Sequence, residues 1–245
     1  MKRILIVGGA NGIGLGVAVE MAQRDDCEQV YVVDKAPFPA EFSHPKISSV
    51  QFDVCSEDYS LFDQYQDIDA LMLTAGFGRL ALFSEVDEDT IRRSFEVNTV
   101  ATIRIIRRFY DRLLSPTPFR CGLMSSIAGY LSSPFFSVYA ATKAALRIFC
   151  ESVNVELEKA GTQNRVLCVA PGSIRGTRFN GAATNDLPEI QPLARDIITH
   201  LEQGDDLFIP QYDEVYQHVL RRYHEDFRAE GRHSYDYKVK VRDQR

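Results

Sequence analysis

Short apolar runs alternate with longer segments of helical period along most of the chain. The pattern predicts strands at "RILIV" (3–7), "QVYVV" (29–33), "SVQF" (49–52), "IDALML" (68–73), "CGLMS" (121–125), "RVLCVA" (165–170) and "DLFI" (206–209). Helices are predicted between them near 12–24, 57–66, 88–114, 137–160 and 190–203. Parallel neighbours need a crossover connection, and right-handed crossovers cover both faces of the sheet with helices. The expected fold over residues 1–210 is therefore α/β, a doubly wound, mostly parallel seven-stranded sheet. Residues 211–245 differ: "YDEVYQHVLRRYHEDFRAEG" reads as a polar, aromatic helix, and the alternating "SYDYKVKV" follows it. This segment is expected to be a C-terminal extension, packed on the same domain or reaching to a neighbouring subunit.

Composition narrows the setting. With 245 residues and 45% hydrophobic content the chain can bury one core of ordinary size. A net charge of −6 and the lack of a long basic block argue against nucleic acid as a partner. The 5 cysteines (Cys27, Cys55, Cys121, Cys150, Cys168) are odd in number and form no CxxC pair, which fits reduced thiols. The histidines have no metal-ligand spacing; His218 and His224 read as a solvated helix face, and no metal is expected. The apolar run Ile4–Val7 is too short for a signal peptide, and no stretch approaches a membrane span. The expectation is a cytoplasmic protein.

The first predicted strand runs directly into "GGANGIGLG", residues 8–16. Gly8, Gly12 and Gly14, with Asn11 and Ile13 between them, would form a tight strand-to-helix turn that a pyrophosphate can approach. The helix start adds free N–H groups and a positive dipole end. Asp34 follows Gly14 by twenty residues, at the end of "VYVVD". A carboxylate there can accept from ribose hydroxyls and would repel a 2′-phosphate, which favours NAD over NADP. Lys35 leaves NADP open, and Asp34 could instead be a turn residue. Asp53, followed by Val54, either touches an adenine edge or begins the turn into "SEDYS".

The chemistry-bearing stretch is "YAATK", residues 139–143. Positions four apart share a helical face, so Tyr139 and Lys143 can reach one point. The pair is either ordinary helix decoration or an acid with the cation that tunes it. Other motifs surround it: "LMSSIAG", with Ser126 thirteen residues before Tyr139; "FEVNTVAT", which carries Asn98; Leu73-Thr74-Ala75-Gly76; and "APGSIRGT", with Pro171, Gly172 and Ile174. In this order and spacing the chain resembles the short-chain dehydrogenase/reductase family, a Rossmann-type fold, over about residues 1 to 210. The departures are Val7 for the threonine that opens the glycine motif, Leu73 and Thr74 for two asparagines, and Thr177 displaced by one position. The first two are expected to remove structural hydrogen bonds without touching the chemistry.

The resemblance implies an NAD(P)-dependent enzyme exchanging hydride with a secondary alcohol or ketone, a small-molecule substrate. Tyrosine is a poor base at neutral pH, with an ordinary pKa of about 10. A nearby ammonium favours the phenolate, so Lys143 is expected to make Tyr139 the general acid/base. In the family the lysine also holds the nicotinamide ribose, Ser126 holds the substrate oxygen, and Asn98 positions a water. Asn98 could equally be a satisfied buried amide. The implied cofactor contacts are Gly8, Asn11, Gly12, Ile13, Gly14, Asp34, Lys35, Asp53, Val54, Ala75, Gly76, Tyr139, Lys143, Pro171, Gly172 and Ile174. Phe77, Leu80, Phe83, Leu131, Phe135, Phe136 and Phe179 are candidate substrate contacts, with Arg79, Arg175 and Arg178 as weaker anion candidates under a small lid. A homodimer or homotetramer is expected through the helices near 88–114 and 137–160, using Ile91, Phe95, Ile103, Leu146, Phe149 and Val153. Two other readings stand beside this one: a non-catalytic NAD(H)-sensing regulator, and an epimerase or dehydratase using the same tyrosine and lysine.

Overall fold

A computed structural model describes residues 1–177, 179 and 184–243. The side chains of β1 (Arg3–Val7) explain the architecture. Ile4, Leu5, Ile6 and Val7 are all buried, because a parallel strand with helices on both faces has no solvent side. Their period of two sends Leu5 and Val7 to a core with Leu71, Phe109 and Leu146, and Ile4 and Ile6 to a second core with Val17, Met21 and Ile197. Burying each such side chain contributes roughly 1.5–3 kcal/mol.

Around β1 stand β2 (Gln29–Asp34), β3 (Ile47–Gln51), β4 (Ala70–Leu73), β5 (Arg120–Met124), β6 (Val166–Val169) and β7 (Leu207–Phe208). They form one seven-stranded sheet of order β3-β2-β1-β4-β5-β6-β7, with every pairing parallel. Helix α1 (Gly12–Gln23) follows β1, and the chain reverses its direction of winding between β1 and β4. A crevice opens there, outside the carboxyl ends of the strands. The helices α2 (Glu88–Phe95), α3 (Ala101–Arg108), α4 (Tyr110–Leu114), α5 (Ser137–Lys159) and α6 (Leu187–Gln203) complete the layers. No helix among the described residues is long and apolar enough to cross a membrane.

Several expectations need correction. The helix expected over 88–114 is three helices joined through a π turn at Glu96–Val100. Asn98 and Thr99, on that turn, bond through their side chains to the Phe77 and Thr142 carbonyls. The helix expected near 57–66 is a 3-10 turn, Ser60–Tyr65. The alternating "SYDYKVKV", for which the sequence predicts no element, lies in α8 (Phe227–Asp243), which follows α7 (Gln217–Glu225). Tyr235, Lys238 and Arg242 share one helical face there, and each meets the main body. Of the apolar residues expected to face a second subunit, Leu146 and Val153 are core, and Ile103 and Phe149 pack against it. The exposed large apolar side chains on those segments are Phe95, Val100, Leu114, Ile148 and Val155.

Candidate active site

The crevice at the sheet's carboxyl edge is a cleft of about 580 Å³. All sixteen residues expected from the sequence to touch a cofactor line it, and so does Ser126. Asn98 does not; it sits fully buried behind the wall.

One end of the cleft is the turn between β1 and α1. Gly8 has φ +91° there, and a Cβ on it would lie 2.3 Å from the Ala75 nitrogen. A Cβ on Gly14 would lie 2.3 Å from both the Gly8 carbonyl oxygen and Thr74 Oγ1. Only glycine allows this approach. Thr74 corrects a sequence expectation: its hydroxyl faces the carbonyl oxygens of Val7 (3.0 Å) and Gly8 (2.9 Å), so the turn is tied from β4 despite Val7. The Gly12 N–H at the start of α1 donates to Asn185 Oδ1 at 2.8 Å, a contact with no sequence signal because it spans 173 positions.

Beside this turn, Asp34 accepts from the Ala10 N–H through Oδ2 and from the Ala36 N–H through Oδ1, each at 2.9 Å. The Lys35 ammonium turns to Asp53 Oδ2 at 2.7 Å, and this bond holds the Asp53 carboxyl below the usual range. Asp53 Oδ1 accepts from the Cys55 N–H, so Asp53 begins the turn as well as lining the cleft.

At the other end lie the groups of the proton-transfer hypothesis. Ser126 follows β5 in extended conformation, and its Oγ accepts from the Ala128 N–H and donates to the Pro171 carbonyl at 3.3 Å. Tyr139 stands in the first turn of α5, and Lys143 one turn on. Lys143 is buried, its ammonium donating to the Met124 carbonyl at 2.7 Å and lying 5.7 Å from the Tyr139 ring centroid. Burial pushes the Lys143 pKa down to about 8. Burial pushes Tyr139 up to about 12, partly opposed by a hydrogen bond with Ser126. Desolvation is the larger of the two influences on the phenol.

Asn98 satisfies its amide with backbone: Nδ2 donates to Phe77 O and Thr142 Oγ1, and Oδ1 accepts from the Phe77 N–H. It thereby fixes the strand-end segment that carries Gly76. A Cβ on Gly76 would lie 3.2 Å from Asn98 Oδ1 and 3.3 Å from Lys143 Nζ, so both flank that residue.

Of the candidate substrate contacts, Phe77 and Phe179 line the cleft, while Phe135 and Phe136 line a small neighbouring hollow. Leu80, Phe83 and Leu131 line neither, and Phe83 is mostly solvent-exposed. Arg79 and Arg175 are exposed and do not line the cleft; Arg178 lies outside the described residues. Sequence reasoning missed Arg93, which lines the cleft from α2. It also missed Tyr216, whose hydroxyl would lie 1.7 Å from a Cβ on Gly172. His218 and His224 are exposed, and no group of metal-ligating side chains occurs among the described residues.

The chain is similar to many known proteins. It is 25% identical over 215 residues to the uncharacterised oxidoreductase TDA5 of Saccharomyces cerevisiae, covering 82% of this chain and 65% of that protein. It is 28% identical over 204 residues to carbonyl reductase family member 4 of Xenopus tropicalis, covering 79% of this chain and 84% of that one. A short chain dehydrogenase of Burkholderia cenocepacia, solved in complex with NADP, has the same fold at a TM-score of 0.72. It shares 21% identity and covers 91% of this chain and 98% of its own. The family model for short chain dehydrogenase matches residues 2–188, a span that holds the glycine turn, Ser126, Tyr139 and Lys143. The chain is a member of the short-chain dehydrogenase/reductase family of oxidoreductases.

Proposed function

We propose that this oxidoreductase exchanges hydride between a nicotinamide dinucleotide and a secondary alcohol or ketone, with Tyr139 as the proton-transfer group. The observation that carries the reading is the meeting of Tyr139, Ser126 and Lys143 at one end of a cleft whose other end is a glycine turn without room for Cβ atoms. The residues fit a dinucleotide. Gly8 and Gly14 let the turn pack closely against Thr74 and Ala75, and the α1 N-terminus offers its amides to a pyrophosphate. The bound nicotinamide would supply the hydride or accept it.

The chain's own residues do the rest. Ser126 Oγ orients the substrate oxygen, and Tyr139 Oη gives it a proton in reduction or takes one in oxidation. Lys143, desolvated and held by Met124 O, keeps a positive charge beside the phenol at neutral pH. Asn98 acts by holding Phe77 and Gly76 in place. The carbonyl reductase and the NADP-bound dehydrogenase among its relatives point the same way, in substrate class and in cofactor class respectively.

For the cofactor we favour NAD. Each Asp34 oxygen accepts one backbone N–H and retains a lone pair for a ribose hydroxyl, while its charge opposes a 2′-phosphate. Lys35, which could answer that phosphate, is engaged by Asp53. The proposal keeps the cytoplasmic location, the homodimer or homotetramer, and residues 211–245 as an extension of a 1–210 catalytic domain.

Thermal-shift titration with NAD, NADH, NADP and NADPH tests the binding half. A ligand at 100 times its Kd adds about 2.7 kcal/mol of stability. Tyr139→Phe tests the chemistry: it is expected to abolish carbonyl reduction and leave dinucleotide binding intact. Near-normal turnover in that variant, or no stabilisation by any of the four ligands, overturns the proposal.

A further inference from the structure

The C-terminal helix α8 grips a short segment that leads into α5. Lys238 donates its ammonium to Ser133 Oγ at 2.6 Å and to the Pro134 carbonyl at 3.0 Å, and lies 5.4 Å from the Phe136 ring centroid. Three residues earlier, Tyr235 packs its ring on Phe135 with centroids 4.9 Å apart. Four residues later, Arg242 pairs with Glu85 at 2.7 Å and lies over the Phe135 ring. One helical face thus meets one stretch of backbone from 133 to 136.

That stretch is strained. Phe135 has φ +65°, a region bulky side chains rarely adopt. Such a conformation persists only where its surroundings over-determine it. The Ala81 N–H donates to the Phe135 carbonyl at 2.9 Å, and the α8 contacts supply the remaining hold. Phe136 caps α5, and its ring meets that of Tyr139 edge-on, with centroids 5.8 Å apart. The path from the C-terminal helix to the phenol is therefore one side chain long.

We infer that Lys238 is a positioning residue: it clamps residues 133–136 so that Phe136 holds the Tyr139 ring in place at the cleft. The inference rests on the reading of Tyr139 as the proton-transfer group. An ammonium suits the task because it satisfies two oxygens at once and is attracted to the face of the Phe136 ring. Burial lowers its pKa to about 8, so at neutral pH it remains mostly charged.

Amide hydrogen exchange on the full chain tests the clamp without a substrate. Lys238→Met keeps the apolar stem and removes the charge and donors; Lys238→Arg keeps the charge. In Lys238→Met, amides of 133–139 are expected to exchange about tenfold faster while those of β1 and β4 do not change, and Lys238→Arg should stay within about threefold of wild type. With aliphatic and aryl ketones and NADH or NADPH, kcat of Lys238→Met should fall about tenfold while the cofactor Kd stays fixed, because a misplaced acid slows proton transfer. Unchanged exchange at 133–139, or equal acceleration across the whole chain, overturns the inference. If wild type reduces no ketone with either cofactor, the reading of the reaction fails, and the exchange result alone decides whether Lys238 clamps this segment.

Discussion

The Lys143 ammonium donates to the Met124 carbonyl at 2.7 Å, at the carboxyl end of β5, and so binds the sheet edge to the helix that carries Tyr139. Both groups are desolvated there, and desolvation moves their pKa values apart, the lysine down to about 8 and the phenol up to about 12. An uncharged lysine and an un-ionised phenol are the states that burial favours. A positive charge brought into the cleft would favour the ionised phenol.

The phenol is the first point to test. In the ligand-free protein Tyr139 is expected to titrate near 12, above its ordinary 10. Subtracting the ultraviolet titration of Tyr139→Phe from that of the wild type isolates it. Adding NAD should move the same titration down. A value below 10 without ligand would contradict the burial argument.

Lys143 should leave a mark on stability against pH. Its folded pKa, about 8, is below the unfolded 10.5, so between these values the unfolded chain binds more protons and stability rises with pH. Its contribution is fully present above the unfolded value and is lost as pH falls through 8. Buried thiols oppose the trend above their ordinary 9, because burial raises Cys27 and Cys121. The difference between wild type and Lys143→Met isolates the lysine, and its slope should reach at most about 1.4 kcal/mol per pH unit. Urea unfolding from pH 7 to 10 reads it; a flat difference would mean that the ammonium is not desolvated.

Thr74→Val tests the tie on the glycine turn. The substitution conserves shape and leaves the Gly8 carbonyl without its hydroxyl partner. A loss of about 1–3 kcal/mol is expected, with weaker dinucleotide binding. Urea unfolding and titration calorimetry measure the two effects. Unaltered stability and affinity would show that the backbone alone shapes the turn.

Asp34→Asn tests cofactor choice. The amide oxygen can still accept from Ala10 or Ala36, while the negative charge is gone. The ratio of NADPH to NADH affinity is expected to rise about tenfold, a change of about 1.4 kcal/mol. An unchanged ratio would mean that the Asp34 charge does not set the preference.

Much of the architecture and of the cleft was legible in the chain itself. The runs at 3–7, 29–33 and 68–73 became β1, β2 and β4 because a parallel strand buried on both faces needs an unbroken apolar sequence. The glycine spacing was legible because close approach of backbone excludes every other residue, as at Gly14. Tyr139 and Lys143 were legible because four residues make one helical turn. Contacts between distant segments left no such trace: Asn185 on Gly12, Thr74 on Gly8, Lys238 on Pro134. The alternating "SYDYKVKV" carries no helical period, and the surface it packs against selects its helical face.

The sequence by itself determined the order of strands and helices, the bare glycine turn and the one-turn spacing of phenol and ammonium. All of these follow from local geometry and from the periodicity of apolar side chains. Tertiary structure alone decided how those groups are charged and held. Burial raises Tyr139 and lowers Lys143, and a carbonyl from β5 takes the ammonium. Desolvation depends on what surrounds a group in space, and residues far apart in the chain supply those surroundings.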